Sequence, residues 1–137
     1  MAITVVGVDL AKNIFHLHSV DQRGAVVFRC ARKRHEWVDS VRQRVEPGAV
    51  IAMEACASSH HWGRLLQSHG YEVRLIPGQF VKPFVKSNKN DRVDAEAIAE
   101  AAMRPGMRFV AVKSQRQQDL QALHRVRVMT PGFLHTL

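Results

Sequence analysis

Four carboxylates stand where carboxylates are costly or conspicuous: Asp9, Glu54, Asp91 and Asp94. Asp9 closes the run Ile3-Thr4-Val5-Val6-Gly7-Val8, and Glu54 closes Ala49-Val50-Ile51-Ala52-Met53. Uncharged, β-branched runs of this kind read as strands buried on both faces. An acid ending each is expected where the strand leaves the sheet and meets water, the place where open α/β sheets put their chemistry. Asp91 and Asp94 open the helical stretch that runs to Met103. At i and i+3 they share one helix face, and that face continues into Ile98, Ala101 and Ala102, which should pack inward. Asp91 suits a positive helix N-terminus. Asp94, leading an apolar stripe, is costly to bury unless a cation accepts it. Gathered in one place, four carboxylates would raise one another's pKa, and a divalent cation relieves this. All-oxygen donors suit Mg²⁺ or Mn²⁺, with waters and a substrate phosphate completing the shell. A pair of such ions stabilises the attacking and leaving oxygens of a phosphodiester displacement. The chemistry anticipated is nucleic-acid cleavage.

The elements that must position these acids can be read in order. After the first strand, Ile14 to Val20 alternates with period two, with His16 and His18 on a wetter face. Without a third ligand close in sequence, these histidines read as structural rather than metal-binding. Asp21-Gln22-Arg23-Gly24 is a turn, and Ala25 to Cys30 a third strand, so the first three strands are antiparallel neighbours. From about Lys33, Trp37, Val38, Val41 and Val45 recur at helical spacing, and Glu46-Pro47-Gly48 stops that helix. The strand ending at Glu54 follows. Ser58 or Ser59 is expected to cap a helix over about 60–69, with Trp62, Leu65, Leu66 and His69 inward. Tyr71 to Ile76 reads as a fifth strand. Residues 77–86 form a connection with room for one helical turn, Asn90 caps the helix carrying Asp91 and Asp94, and Ser114 caps a last helix over about 115–129. Glu96 and Glu100 read as surface charge. The result is an α/β chain of order β-β-β-α-β-α-β-α with a mixed five-stranded sheet, the order of the ribonuclease H-like fold. There the first and fourth strands are neighbours, which brings Asp9 beside Glu54.

Composition bounds the partners. The 137 residues suit one domain, and 46% hydrophobic content supports one core. Twenty Lys and Arg against 12 Asp and Glu give a net charge of +8, which points to an anionic partner, nucleic acid foremost. Lys12, Lys82, Lys86, Lys89 and Arg92 cluster around the acid-bearing segments and are the candidate phosphate contacts. No apolar run is long enough to span a membrane, and no signal peptide opens the chain. Cys30 and Cys56 lack metal-ligand spacing and read as small buried hydrophobes in a reducing cytoplasm. Leu120, Leu123 and Val126 leave a weak stripe for self-association on the last helix, opposite Arg116, His124, Arg125 and Arg127.

Val6-Gly7-Val8-Asp9-Leu10-Ala11-Lys12-Asn13, Met53-Glu54-Ala55-Cys56, Lys89 to Ala99 and Gln118 to Arg127 together resemble the DEDD insertion-sequence transposases of the IS-one-ten type, relatives of the pilin-gene invertases. The resemblance runs from about residue 3 to 128. It implies a RuvC-like domain over 1–112, the start of a coiled-coil-like helical segment over 113–129 and an irregular tail over 130–137. It further implies Asp9, Glu54, Asp91 and Asp94 as the Mg²⁺ tetrad, DNA and a structured guide RNA as partners, and a bacterial cytoplasmic setting. In the family a domain with a nucleophilic serine follows; no serine here matches it, so a truncated copy is expected. The competing readings are an idle nucleic-acid-binding relic of a transposase and a free-standing Holliday-junction-resolvase-like nuclease. An actin-like kinase fold needs two lobes and glycine-rich phosphate loops that this chain lacks.

Overall fold

A computed structural model describes residues 2–86 and 91–129, with the side chains of 91–93 and 126–129 left out of the description. Strands β1 (Val5–Asp9), β2 (Ile14–Val20) and β3 (Val26–Lys33) form an antiparallel meander. Helix α1 (Trp37–Arg44), strand β4 (Val50–Glu54), helix α2 (Ala57–Ser68) and strand β5 (Glu72–Ile76) follow. A short helix α3 (Gly78–Val81) leads through a 3-10 turn, Lys82–Phe84, towards α4 (Asp91–Met103) and α5 (Gln115–Met129). The sheet order is β3-β2-β1-β4-β5. Strand β1 is antiparallel to β2 and parallel to β4, and β4 is parallel to β5. This is the ribonuclease H-like arrangement anticipated from the element order.

Strand alternation sorts the sheet residues onto two faces. One face takes Val6, Val8, Phe15, Leu17, Ile51, Met53 and Leu75 against Trp37 and Val41 of α1 and Trp62 and Leu66 of α2. Phe15, Trp37 and Trp62 pack ring against ring, with centroids 5.3 to 5.7 Å apart. The other face takes Val5, Val20, Val50, Ala52 and Ile76 against Ala97, Ile98, Ala99, Ala101 and Ala102 of α4. Each fully buried large apolar side chain contributes roughly 1.5–3 kcal/mol, so the aromatic face carries most of the stabilisation and the alanine-rich face carries close approach.

Several local expectations change. Strand β3 runs three residues past Cys30 to Lys33, because Arg29, Ala31 and Lys33 alternate outward along an exposed edge strand. Helix α1 therefore begins only at Trp37. Helix α2 is capped at Cys56, not at Ser58 or Ser59: the Ser59 hydroxyl accepts the Cys56 backbone N–H at 2.9 Å. Cys56 is consequently exposed, not buried, and Cys30 is half-buried. The histidine-bearing face of β2 is not a wet one, since α4 covers it and His18 is buried. Glu96 and Glu100 are not plain surface charge, as described below. Ser114 does cap α5: its hydroxyl accepts the Gln117 N–H at 3.1 Å while the Gln117 side chain accepts the Ser114 N–H at 2.8 Å. Residues 108–112 supply a single bridge, Val110 to Leu75. The Asn90 cap and the 130–137 tail lie outside the described residues.

Candidate active site

Asp9 and Glu54 come together through strand register. Strands β1 and β4 pair in parallel from Val5↔Val50 to Val8↔Met53, and one more step sets Asp9 beside Glu54. Alternation then gives both acids the same face. Gly7 and Asp9 lie two residues apart on β1, as do Ala52 and Glu54 on β4, and Ala52 packs against α4. Both carboxylates therefore stand on the α4 side, at the carboxyl edge of the sheet. Asp9 is half-buried there and Glu54 exposed.

The helix that carries Asp94 comes close to β1 because β1 carries a glycine. A Cβ on Gly7 would run into the Ala95 carbonyl and come within 2.7 Å of the Ala99 amide nitrogen and 2.9 Å of the Ala99 Cβ. Helix backbone thus lies directly on strand backbone at that point, and no other residue type permits it. Asp94 sits next to Ala95 and is half-buried. Sequence reasoning passed over Gly7; a glycine inside a β-branched run was the available signal. A Cβ on Gly78 would meet the Glu54 carboxylate, which places that flexible, exposed side chain beside the start of α3.

The donor set is all oxygen, which fits a hard divalent cation and not a thiolate- or imidazole-seeking one. Among the described residues no three His, Cys, Asp or Glu side chains close a metal site by themselves. Asp91 begins α4, but its side chain lies outside the described residues. Across the β1–β2 ladder His16 is the partner of Asp9.

The candidate cations are placed differently from one another. Lys12 and Lys82 are exposed. The Lys86 ammonium is held by Glu96 Oε1 at 2.9 Å and Glu100 Oε1 at 2.7 Å. Those two acceptors push its pKa up to about 12, and the Lys86 hydrogen bond in turn lowers that of Glu96. Its charge ties the turn after α3 to α4. Lys89 and the Arg92 side chain lie outside the described residues. Near Glu96 and Glu100, His18 is buried with Nδ1 unpaired, and burial holds its pKa below the usual value against the pull of Glu96.

The "Transposase" family model for DEDD transposases of the IS110 type matches residues 6–130. A probable family 20 transposase of Pseudomonas aeruginosa is 52% identical over 127 residues, covering 93% of this chain and 37% of that protein. The transposase for insertion sequence element IS1111A of Coxiella burnetii is 48% identical, over 91% of this chain and 34% of that protein. The transposase for element IS1328 of Yersinia enterocolitica is 45% identical, over 91% and 37%. The chain thus spans about a third of the length of these relatives. Among the described residues no helix is long and apolar enough to cross a membrane.

Proposed function

Because the chain belongs to the IS110-type DEDD transposase family, we propose that it forms the metal-dependent strand-cleaving and strand-transferring unit of a DNA transposase. The unit would span 1–112, with 113–129 the start of a helical segment. Asp9 and Glu54 would hold Mg²⁺ or Mn²⁺ from the sheet, and Asp94 and Asp91 from α4. When bound, the metal supplies charge for activating a nucleophile and stabilising the leaving oxygen of a phosphodiester. The protein's own part would be placement: the β1–β4 register would set Asp9 near Glu54, and the close approach at Gly7 would bring the acid-bearing α4 towards them. Lys12 and Lys82, with Lys89 and Arg92, would neutralise the DNA backbone around the acids. DNA, a structured guide RNA and a cytoplasmic setting are carried by the family alone, and the exposed Leu120 and Leu123 leave α5 open to self-association.

The observation that carries this reading is the close approach of α4 to β1 at Gly7, which sets an acid-bearing helix on the acid-bearing strand end. Titration calorimetry with Mn²⁺, in the presence of a short branched DNA, tests it. Wild type should bind the ion, and Asp9→Asn and Asp94→Asn should each weaken binding by at least tenfold while melting normally. Equal binding by all three proteins would overturn the tetrad. Metal binding without cleavage of the DNA would leave a binding module.

A further inference from the structure

The sheet topology that presents Asp9 also brings a group of cations to the same edge, and only Lys12 among them was anticipated. Strand β3 is antiparallel to β2, so it ends where β2 begins, with Lys33 the partner of Ile14. Asp9 is the partner of His16, and His16 of Ala31. Lys33 therefore lies two strands across from Asp9, on the order of 10 Å away. The loop after β1 and the segment after β3 are pinned together here: the Arg34 N–H donates to the Asn13 carbonyl at 3.0 Å.

The Arg34 side chain is exposed. Its guanidinium lies 5.7 Å from the Trp62 ring centroid and donates through a nitrogen to the Lys12 carbonyl at 3.5 Å. Its planar fork matches the geometry of a phosphate. Asn13, Ile14, Lys33, Arg34 and His35 line an open hollow of about 420 Å³. Ile14 is 41% exposed at its rim, an apolar surface set among cations. Among the described residues the one carboxylate ion pair recorded in this corner is His35 with Glu36, at 3.4 Å. Lys86 is tied to two glutamates, whereas among the described residues no carboxylate pairs with Lys12, Lys33 or Arg34.

We infer that the corner made by Lys12, Lys33 and Arg34 binds the backbone of single-stranded DNA leading away from the acid site, with a sugar or base resting on Ile14. The inference rests on the proposed function for its choice of DNA. Its test is made without metal, so that the two can fail separately.

The measurement is fluorescence anisotropy of a labelled oligothymidylate of about 20 nucleotides, with chelator, across a salt series on the 137-residue chain. Lys33→Ala/Arg34→Ala should weaken binding roughly tenfold at moderate salt and lower the salt slope by about 1.4, two single-strand phosphate contacts. Arg23→Ala/Arg42→Ala removes the same charge away from this edge, Arg23 lying in the β2–β3 turn and Arg42 near Tyr71, and should leave the slope unchanged. Lys33→Glu alone, at an exposed position, guards against misfolding of the double variant and should weaken binding further than Lys33→Ala. Three results would overturn the inference: equal losses in the two double variants, no binding by wild type, or tighter binding of an RNA of the same length through the same residues. Loss confined to the Lys33/Arg34 variants in a protein that binds no Mn²⁺ would sustain the corner and sink the metal reading.

Discussion

The two faces of the sheet solve different problems with different residues. On one, Phe15, Trp37, Trp62 and Leu66 fill space and bury area. On the other, Gly7, Ala52, Ala95, Ala99, Ala101 and Ala102 make room, so that α4 lies almost on the backbone of β1. Large side chains hold the domain together; small ones decide how near the acids come. The space-filling contacts and the proposed acid site thereby lie on opposite sides of the same strands, so damage to the aromatic face should spare the site.

Trp37→Ala tests the first half and carries the largest stability effect. Trp37 is fully buried between Phe15 and Trp62, so its truncation should cost about 3–5 kcal/mol. In urea unfolding the midpoint should fall steeply, while Mn²⁺ affinity of the folded fraction stays near wild type. Gly7→Ala tests the second half. Its single methyl meets helix backbone, and overpacking of this kind costs about 1–3 kcal/mol. Here the expected result inverts: a moderate loss of midpoint with metal binding and cleavage abolished, because α4 must lift away from Asp9. Ala99→Gly should not rescue it, since the Ala95 carbonyl remains in the way.

The smallest effect sharpens the comparison at the edge of the α4 face. His18 is faced by Glu96, Arg29, Glu100 and Lys86, and burial lowers its pKa from the ordinary 6.5. The unfolded chain takes up a proton near pH 6.5 and the folded one only at lower pH. His18 therefore leaves stability intact above about pH 7 and erodes it as pH falls from there towards the folded pKa, by up to about 1.4 kcal/mol per unit. His60 has its pKa lowered in the same direction by burial, with help from Lys113 and Arg64. His18→Gln should accordingly shrink, not abolish, the fall in unfolding free energy measured between about pH 7 and 5.

The strand ends at Asp9 and Glu54, their adjacency and the helix from Asp91 were legible because each rests on a strong local pattern joined to a familiar element order. The misses share a cause, which is dependence on what lies across space. The burial of His18 depends on α4 crossing β2. Cys56 caps α2 because the Ser59 hydroxyl turns back to its N–H, a choice between neighbouring small residues that spacing alone cannot make. The extension of β3 to Lys33 was hidden because an edge strand accepts charges that would be excluded from a central one. The Lys86 bridge joins residues ten and fourteen positions apart, too far for helix periodicity to pair them.

The strand order also dictates when the site can exist during folding. Strands β1, β2 and β3 join through short turns and can find one another early, whereas β1 meets β4 only after the chain from residue 9 to residue 50 has closed on itself. Closing the longer loop costs more entropy before any contact repays it. Asp9 and Glu54 are thus expected to stay apart until late, and a nascent chain that has exposed only β1 to β3 would carry a basic, strand-rich nucleus in which Asp9 still lacks its β4 neighbour. The Asp9–Glu54 juxtaposition would then be among the last features the sheet acquires.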